Sequence, residues 1–460
     1  KVVFALEYPL WMRLMKDTAN NPAVQRFILA PHLCLIPLFL FFWHFRARRM
    51  DGDGELIGRI TEGGKWFVKN EMFSQTILQA LHQTLAPYLW TPMEIMNLAS
   101  CLAGTLSVWL LLHYARRFYR LPLFWPLLLF LSSGFLIYSC GRTEYYPLFL
   151  PAMIYYGHCA LEYLDGEKDM LFVAFVFVLA ASLHFAMMIA LPSLLLLPLL
   201  TQRRRDYRRI VFGLLPLIPL FVIRNYPQIA GFKAASLSPV LNFLPLFYSE
   251  DMNRYYSFFQ WAHIADWLYA WTMRSWIFWP AVIFGLCQQG MRSLLDKKRF
   301  FLFVYTLSFT LWSLVWHPDL GMAKDWDLFA IEAAPCLLLL IAYLPSLLSN
   351  PFHRTALAIA LAASIAMAAS HVFDASLPRR GFGSILVDVD SPGACRLKID
   401  GAIRPYSIPR LVQGVHEAKL IDLSRRRVLD FHIIVSPGIM TKVVIDRTQE
   451  PAEFYKEKTH

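Results

Sequence analysis

The chain has 460 residues, of which 57% are hydrophobic, 15% aromatic and 17% charged, and its formal net charge is +11. This apolar content, arranged as many separate runs of membrane length, excludes an ordinary soluble enzyme and indicates a polytopic membrane protein. The positive charge does not indicate nucleic acid as a partner, because much of the Lys and Arg stands in short clusters between apolar runs, as topogenic charge does.

The N-terminal part leads into a cluster of acidic residues. Residues 1–28 predict an amphipathic cytoplasmic segment, with a disordered tail as the alternative. The apolar run 29–45 is long enough to cross a bilayer. Directly after it, the stretch Met50-Asp51-Gly52-Asp53-Gly54-Glu55 places three carboxylates close together. We therefore expect these carboxylates at a membrane surface.

The following stretch, 58–90, predicts a helix that lies along the membrane surface. Its apolar residues recur at helical spacing. They are Phe73, Ile77, Leu78, Leu81 and Leu85. With the acidic residues, this stretch forms a predicted first outer loop, 46–92.

Further spans follow, giving about eleven on the rule of ~20 residues per span. The nearly continuous apolar stretch 170–200 is too long for one ordinary span, so we expect a tight hairpin at Ser182-Leu183-His184-Phe185. The spans after the first are predicted at 93–112, 121–140, 147–163, 170–183, 187–200, 210–223, 264–287, 300–316, 328–346 and 355–372.

Loop charge predicts which side each loop occupies. With the hairpin in place, one set of loops is more than twice as dense in Lys and Arg as the other, and this set should be cytoplasmic. Without the hairpin, residues 203–209 would lie outside, against that rule. The dense set is 113–120, 162–170, 202–209, 288–300 and 346–355, and the outer set is 46–92, 141–146, 183–186, 224–262 and 317–327.

From residue 373 to residue 460 the pattern predicts a small all-β domain. Short β-branched runs, partly alternating, are separated by Ser-Pro-Gly and Asp-Gly turns. The domain should be β-sandwich-like and extracytoplasmic if eleven spans precede it. Its Asp400-Gly401 turn and the run Gly414-Val-His-Glu-Ala-Lys-Leu resemble PEGA domains.

Most polar motifs outside the basic loops fall in the predicted outer loops. Ionisable groups beside membrane spans are costly unless they line a wet cavity. The sequence therefore predicts a polar cleft at the outer membrane boundary. Its members are Asp51, Asp53 and Glu55, the run Gly141-Arg142-Thr143-Glu144-Tyr145-Tyr146, His184, the aromatic loop 224–262, and the run from His317 to Asp327.

A first span that delivers Gly52-Asp53-Gly54-Glu55-Leu56 into such a loop, followed by many spans and an outer C-terminal domain, resembles the GT-C glycosyltransferases. The acidic motif is similar to that of protein O-mannosyltransferase-like and related bacterial members. Over residues 29–372 the resemblance implies an enzyme of the bacterial inner membrane. Such enzymes move a sugar from a polyprenyl-phosphate carrier to a glycan, lipid or protein acceptor outside the cytoplasm, by inverting displacement.

By this resemblance the catalytic base is Asp53, with Asp51 as its rival. A carboxylate suits the work, because the acceptor hydroxyl must lose a proton as it attacks the anomeric carbon. Asp51 and Glu55 could assist Asp53 or help to hold a divalent cation. A solvated Asp-Gly-Asp-Gly surface loop without catalytic work is the alternative.

The donor phosphate requires cations, and Arg142 and then Lys324 are the candidates. Each could instead pair with a neighbouring acid, Arg142 with Glu144 and Lys324 with Asp325 or Asp327. His184 could be an ordinary turn histidine, and Asp325 and Asp327 could complement a helix dipole. The remaining substrate-binding candidates are Glu144, Tyr145, His184, His317, Asp325 and Asp327.

No cofactor is certain from the sequence. A divalent cation on Asp51, Asp53, Asp325 or Asp327 is conceivable, although the spacing matches no specific metal motif. The expected partners are a lipid-linked sugar donor, its acceptor and membrane lipids.

Two other function classes stay open. A transporter or flippase would favour charges deep within the spans, where the sequence has few beyond Asp266, Arg274 and Glu332. A non-catalytic scaffold would present the C-terminal domain to partner subunits of a membrane complex.

Overall fold

A computed structural model shows that the chain divides into two compact units, one containing residues 51–374 and the other residues 375–460. The predicted N-terminal segment 1–28 lies outside the described residues. The structure describes residues 35–48, 57–58, 61, 66–67, 71–85, 88, 91–225, 233–234, 258–261, 263–268, 278–316, 330–376, 382–389, 395–399, 402–404, 407–412, 414–422, 427–435, 440–445 and 455–459.

The first unit is mostly helical. Two 3-10 helices, Phe185–Ala190 and Met291–Leu295, accompany its α-helices. In chain order the described α-helices are α1 Leu35–His44, α2 Met72–Leu85, α3 Pro92–Tyr119, α4 Phe124–Leu131, α5 Phe135–Ser139, α6 Tyr146–Leu164, α7 Met170–Leu183, α8 Leu191–Thr201, α9 Asp206–Leu214, α10 Leu217–Asn225, α11 Phe278–Gln289, α12 Lys297–Val315, α13 Ala333–Ser349 and α14 Pro351–Ser376.

Local capping residues fix where several of these helices begin. At the start of α3, the Thr91 hydroxyl accepts from the Glu94 N–H, and the Glu94 carboxylate accepts from the Thr91 N–H. Asp169 caps α7, and Asp296 caps α12 by accepting from the Arg299 N–H at 3.0 Å. Such caps satisfy backbone donors that have no partner inside the helix.

Two of the described helices are long and apolar enough to cross a membrane by length and composition, α3 and the Pro351–Phe373 part of α14. Four apolar stretches are shorter, Leu35–His44, Met170–Leu183, Phe185–Thr201 and Ala333–Ser349. Full-length spans are therefore fewer, in the described part of the chain, than the eleven expected.

Two predicted spans are each broken into a pair of helices. The span predicted at 121–140 divides into α4 and α5 at Ser132-Ser133-Gly134, and the one at 210–223 divides into α9 and α10 at Leu215-Pro216. Pro216 has no N–H to donate to the preceding helical turn, which explains the second break. Hydrophobicity alone did not reveal either interruption.

The hairpin predicted within residues 170–200 is present. Tyr163 Oη lies 3.0 Å from Thr201 Oγ1, and Arg209 Nη1 lies 2.7 Å from Asp169 Oδ2, so the start of α7 and the end of α8 meet at one end of the unit. The turn is wider than the tight one expected at residues 182–185. It consists of His184 in extended conformation and the 3-10 helix Phe185–Ala190.

The other loops that are dense in Lys and Arg also lie at this end, which we call the basic end. Lys298 Nζ lies 2.7 Å from Asp165 carboxylate oxygens, and Arg117 binds Glu167. The loops 113–120, 162–170, 202–209 and 288–300 are therefore neighbours. These four loops are therefore grouped as their charge predicted, and their cytoplasmic location stays a prediction.

Between the two ends, α3, α6, α12 and α13 contribute a large part of the apolar core. The Tyr114 hydroxyl on α3 donates to the Leu338 carbonyl on α13 at 3.2 Å, and the Tyr305 hydroxyl on α12 donates to the Met153 carbonyl on α6. A Cβ at Gly157 would lie 2.4 Å from Leu338 Cδ1, so α6 and α13 approach closely there.

In the second unit, the described residues form two four-stranded sheets. Strands β1 Trp66–Phe67 and β2 Lys233–Ala234 belong to the first unit, and the strands of the second are β3 Phe382–Val389, β4 Cys395–Ile399, β5 Ala402–Arg404, β6 Ser407–Val412, β7 Gly414–Asp422, β8 Arg427–Val435, β9 Met440–Ile445 and β10 Tyr455–Thr459. The two sheets are ordered β10-β9-β3-β6 and β5-β4-β7-β8. Strands β3 and β9 pair in parallel, whereas the other pairs in these sheets are antiparallel.

Candidate active site

The residues before the acidic stretch are bound to the 140–146 segment, by which we mean residues Cys140 to Tyr146. The Ala47 N–H donates to the Cys140 carbonyl at 2.8 Å, and Asn97 Nδ2 donates to the Ala47 carbonyl at 2.9 Å. Gly141 adopts a φ of +76°, and a Cβ there would lie 2.9 Å from Arg46 Cβ. Residues 46–47, just before the acidic stretch, are therefore held in place against this segment.

The residues after the acidic stretch pack against the same segment. Ile57 is buried in a small apolar cluster with Leu78, Met96, Ala99 and Tyr145. The Thr61 hydroxyl donates to the Ile57 carbonyl at 2.8 Å. Both flanks of the stretch are thus held at the 140–146 segment, while Asp51, Asp53 and Glu55 themselves lie outside the described residues.

A buried pair that the sequence did not predict lies beside this segment. His184 Nε2 is 3.0 Å from Glu71 Oε1, and both side chains are almost fully buried. His184 Nδ1 accepts from the Ala186 N–H at 3.0 Å, so the neutral ring carries its proton on Nε2, toward Glu71. Nδ1 therefore has a backbone donor, whereas Nε2 faces the Glu71 carboxylate without a hydrogen bond of standard geometry among the described residues.

Further contacts fix the surroundings of His184. The rings of Tyr146 and Phe149 lie 5.2 and 5.3 Å from the imidazole, centroid to centroid. The Ser74 hydroxyl donates to the Leu183 carbonyl at 2.9 Å and forms a second link between α2 and the hairpin turn. Helix α2, the hairpin turn and the start of α6 therefore meet at one place.

Tyr145 brings two carboxylates into the same place. Burial raises the pKa of its phenol well above the ordinary value, and the nearby negative charges of Glu71 and Glu144 raise it further. Glu144 is itself buried, with 6% of its surface exposed. Among the described residues, Tyr145 Oη has no hydrogen-bond partner. The cluster Glu71, Glu144, Tyr145 and His184 is accordingly polar, buried and acidic.

Such a cluster can attract positive charge or hold hydroxyl groups that donate to its carboxylates. Arg142 is half-buried within the same segment, and its carbonyl accepts from the Ser100 hydroxyl at 2.7 Å. No group of three or more His, Cys, Asp or Glu that could hold a metal ion occurs in the described part of the chain. A cation site on Asp51, Asp53, Asp325 or Asp327 stays a prediction, because those residues are outside that part.

The second predicted acidic patch, His317, Lys324, Asp325 and Asp327, also lies outside the described residues. Close to it in sequence, the buried carboxylate of Glu332 accepts from the Thr310 hydroxyl at 2.6 Å and from the Ser313 hydroxyl at 2.9 Å. Trp267 Nε1 donates to Ser313 Oγ at 3.1 Å. This network joins α12, the start of α13 and the segment 263–268.

The predicted outer loops meet at one further point. Residues Trp66–Phe67 of the first loop pair in parallel with Lys233–Ala234 of the aromatic loop. The structure thus brings described parts of the loops 46–92, 141–146 and 183–186 together around His184, and it joins the loop 224–262 to the first loop at Trp66–Phe67. Glu71 was missed because a single acid before an amphipathic helix is a common feature of such helices.

No protein-family model matches the chain, and no curated protein matches it. Two solved structures are similar to it, both of ArnT from Cupriavidus metallidurans. The apo structure has a TM-score of 0.46 at 13% identity, and the match covers 67% of this chain and 59% of that one. The structure bound to undecaprenyl phosphate has a TM-score of 0.47 at 12% identity, covering 79% of this chain and 82% of that one. Similarity at this level transfers neither residues nor activity.

Proposed function

We propose that this protein is a membrane glycosyltransferase of the GT-C type, with about eleven spans, that moves a sugar from a polyprenyl-phosphate carrier to a glycan, lipid or protein acceptor outside the cytoplasm. The observation that carries the proposal is the anchoring of both flanks of the acidic stretch at the 140–146 segment, where the buried cluster Glu71, Glu144, Tyr145 and His184 lies. A merely solvated surface loop would not need two buried anchors.

In the proposed reaction, an acceptor hydroxyl oxygen attacks the anomeric carbon while the bond from that carbon to the phosphate oxygen breaks. The electron pair of the broken bond stays on the phosphate, and the hydroxyl proton moves to a carboxylate, for which we propose Asp53 with Asp51 as the rival. One displacement of this kind inverts the anomeric configuration. Positioning of the two substrates supplies a large part of the rate.

Arg142 is the proposed ligand of the departing phosphate, with Lys324 as a second cation. A guanidinium can bind two phosphate oxygens and offset the charge that develops as the bond breaks. Arg142 suits this role because it lies in the segment that holds both flanks of the acidic stretch. The ArnT structure with undecaprenyl phosphate is in keeping with a lipid-phosphate substrate but does not carry this assignment.

The test is transfer from a panel of radiolabelled polyprenyl-phosphate sugars by the purified protein in liposomes. Asp53→Asn and Asp51→Asn are compared with the unaltered chain, and Asp165→Asn at the basic end is the matched control. We expect Asp53→Asn to reduce turnover by about 100-fold or more while the control keeps full activity.

Loss of turnover in Asp51→Asn alone would transfer the role of base to Asp51. If the unaltered chain consumes no donor, while a known enzyme of this type is active in the same liposomes, the transferase proposal is wrong. Equal loss in Asp165→Asn would also count against it, because that change is far from the proposed site.

Transport is the second candidate, and the observation that favours it is Glu332. A carboxylate buried between helices and bound by hydroxyl groups is a feature of solute and proton pathways in membrane proteins. Solute flux without donor consumption, abolished by Glu332→Gln, would favour this candidate over the transferase.

A further inference from the structure

Helices α9 and α10 leave one face uncovered at the basic end. The opposite face of α9 is buried through Asp206, Ile210 and Gly213, and a Cβ at Gly213 would lie only 2.5 Å from Ala174 Cβ on α7. This close approach fixes the rotation of α9. The side chains that consequently face away from the unit are apolar, with exposed fractions of 61% for Val211, 65% for Phe212 and 47% for Leu215.

Basic residues lie at the N-terminal end of this apolar face. Arg204, Arg205 and Arg208 are all exposed. Arg208 precedes Val211 and Phe212 by three and four residues on the same helix, which places them on one face. The face continues past Leu215 into α10, where Ile218 is 59% exposed. The three exposed arginines therefore lie at one end of an apolar strip that extends over α9 and α10.

The acids of the basic end do not neutralise these arginines. Asp165 pairs with Lys298, Glu167 with Arg117, and Asp169 and Asp206 both with Arg209. In the described part of the chain, Arg204, Arg205 and Arg208 have no carboxylate partner. Their charge is available to an anion from outside the protein.

We propose that this face is a binding site for an anionic glycerophospholipid. Its phosphate would bind Arg204, Arg205 and Arg208, and its acyl chains would lie along Val211, Phe212, Leu215 and Ile218. The three arginine charges favour an anionic headgroup, and the apolar strip favours a lipid with acyl chains over a soluble phosphate. Each arginine near an anionic membrane surface strengthens such binding by about fivefold. The proposal requires the chain to lie in a membrane but does not depend on the transferase reaction.

The test uses the full chain purified in detergent, with added phosphatidylglycerol or phosphatidylcholine. Native mass spectrometry measures the lipid retained, and the unfolding temperature measures the stabilisation that it brings. The double variant Arg204→Gln/Arg208→Gln is compared with the control Arg120→Gln/Lys297→Gln, which removes two exposed charges from the same end. The control residues do not lie beside an exposed apolar strip, because Phe301, one turn after Lys297, is buried.

We expect the unaltered chain and the control to retain phosphatidylglycerol over phosphatidylcholine, and the Arg204/Arg208 variant to lose about 25-fold of that retention. Equal retention of the two lipids, or equal loss in the control, would overturn the proposal. Retention of undecaprenyl phosphate but not of phosphatidylglycerol at these arginines would overturn it as well, in favour of a carrier-lipid site. All four residues are exposed, so each variant should fold, and its unfolding temperature without lipid checks this directly.

Discussion

His184 Nε2 lies 3.0 Å from Glu71 Oε1, and this contact joins the turn of the α7–α8 hairpin to the start of helix α2. Ser74 and the Leu183 carbonyl make a second link one helical turn along α2. The two links add polar contacts to the apolar packing of α2 through Leu78. We expect the position of α2 to depend on them.

Breaking the Glu71–His184 pair should destabilise the first unit. Glu71→Ala removes the carboxylate that faces the buried imidazole at 3.0 Å, which should cost about 1–2 kcal/mol. His184→Asn should have a similar effect, and the double variant should lose less than the sum, because the two residues share one interaction. A double-mutant cycle on the unfolding free energy measures this. Additive effects would show that the two residues are not coupled, and Glu167→Gln on the exposed surface should leave the unfolding temperature unchanged.

Gly141 should tolerate no side chain. Gly141→Ala puts a Cβ 2.9 Å from Arg46 Cβ and 3.1 Å from Asn97 Oδ1 in a backbone conformation with φ +76°, which should cost about 3 kcal/mol. Gly290→Ala is the matched control, because its φ is +75° and nothing lies within 4 Å of the added atom. The control should lose about 1 kcal/mol. Equal losses in the two variants would show that the contact with Arg46 and Asn97 is unimportant.

Tyr145 should make the protein sensitive to alkali. Its folded-state pKa is raised by burial first and then by Glu71 and Glu144. The stabilising contribution is complete below pH ~10, where an unfolded tyrosine is protonated, and is lost as the pH rises above that value and only the unfolded chain ionises. Tyr145→Phe should therefore flatten the fall in stability above pH ~10 by up to about 1.4 kcal/mol per pH unit.

The comparison at pH 8 provides the control for that experiment. Neither state ionises there, and the hydroxyl has no hydrogen-bond partner among the described residues, so Tyr145→Phe should retain nearly full stability. A parallel fall of the two proteins above pH 10 would contradict the prediction. Chemical denaturation in detergent at a series of pH values gives both results.

The hydrogen bonds of Ser313 in the network around Glu332 should contribute more to stability than those of an ordinary helix serine. Ser313→Ala removes a hydroxyl that donates to Glu332 and accepts from Trp267, and the loss should be about 1–3 kcal/mol. Ser308→Ala, on the same helix, removes a hydroxyl that donates to the Val304 carbonyl one turn earlier. It should change stability by less than about 0.5 kcal/mol. Thermal unfolding of the two variants distinguishes the effects.

Much of the helical order was predictable because membrane spans are long apolar runs and their loops carry patterned charge. The return of the chain within residues 170–200 followed from the basic run 203–209, which belongs on the same side as the other basic loops. In the structure Arg209 pairs with Asp169 there. The helix α2 followed from the spacing of Phe73, Ile77 and Leu78. Both features depend on residues near one another in sequence or on charge alone.

The candidate site was predictable only in outline. Glu144, Tyr145 and His184 were singled out from their position at the ends of spans, but the pairing of His184 with Glu71 joins segments far apart in the chain. No local pattern encodes such a pair. The Ser132-Ser133-Gly134 and Leu215-Pro216 breaks were likewise hidden, because hydrophobicity reports burial and not the continuity of backbone hydrogen bonds.

The length of helix α7, the first helix of the hairpin, also determines how deep the site would lie in a membrane. Helix α7 has 14 residues and rises about 21 Å, whereas the hydrocarbon layer of a bilayer is about 30 Å thick. If its Asp169 end lies at one surface, the leg stops about 9 Å short of the other. The buried Glu71–His184 pair would then lie below the outer surface, and the start of α2 would enter the membrane there. In the proposed reaction, the acceptor and the carrier would therefore have to meet below the outer surface and not on it.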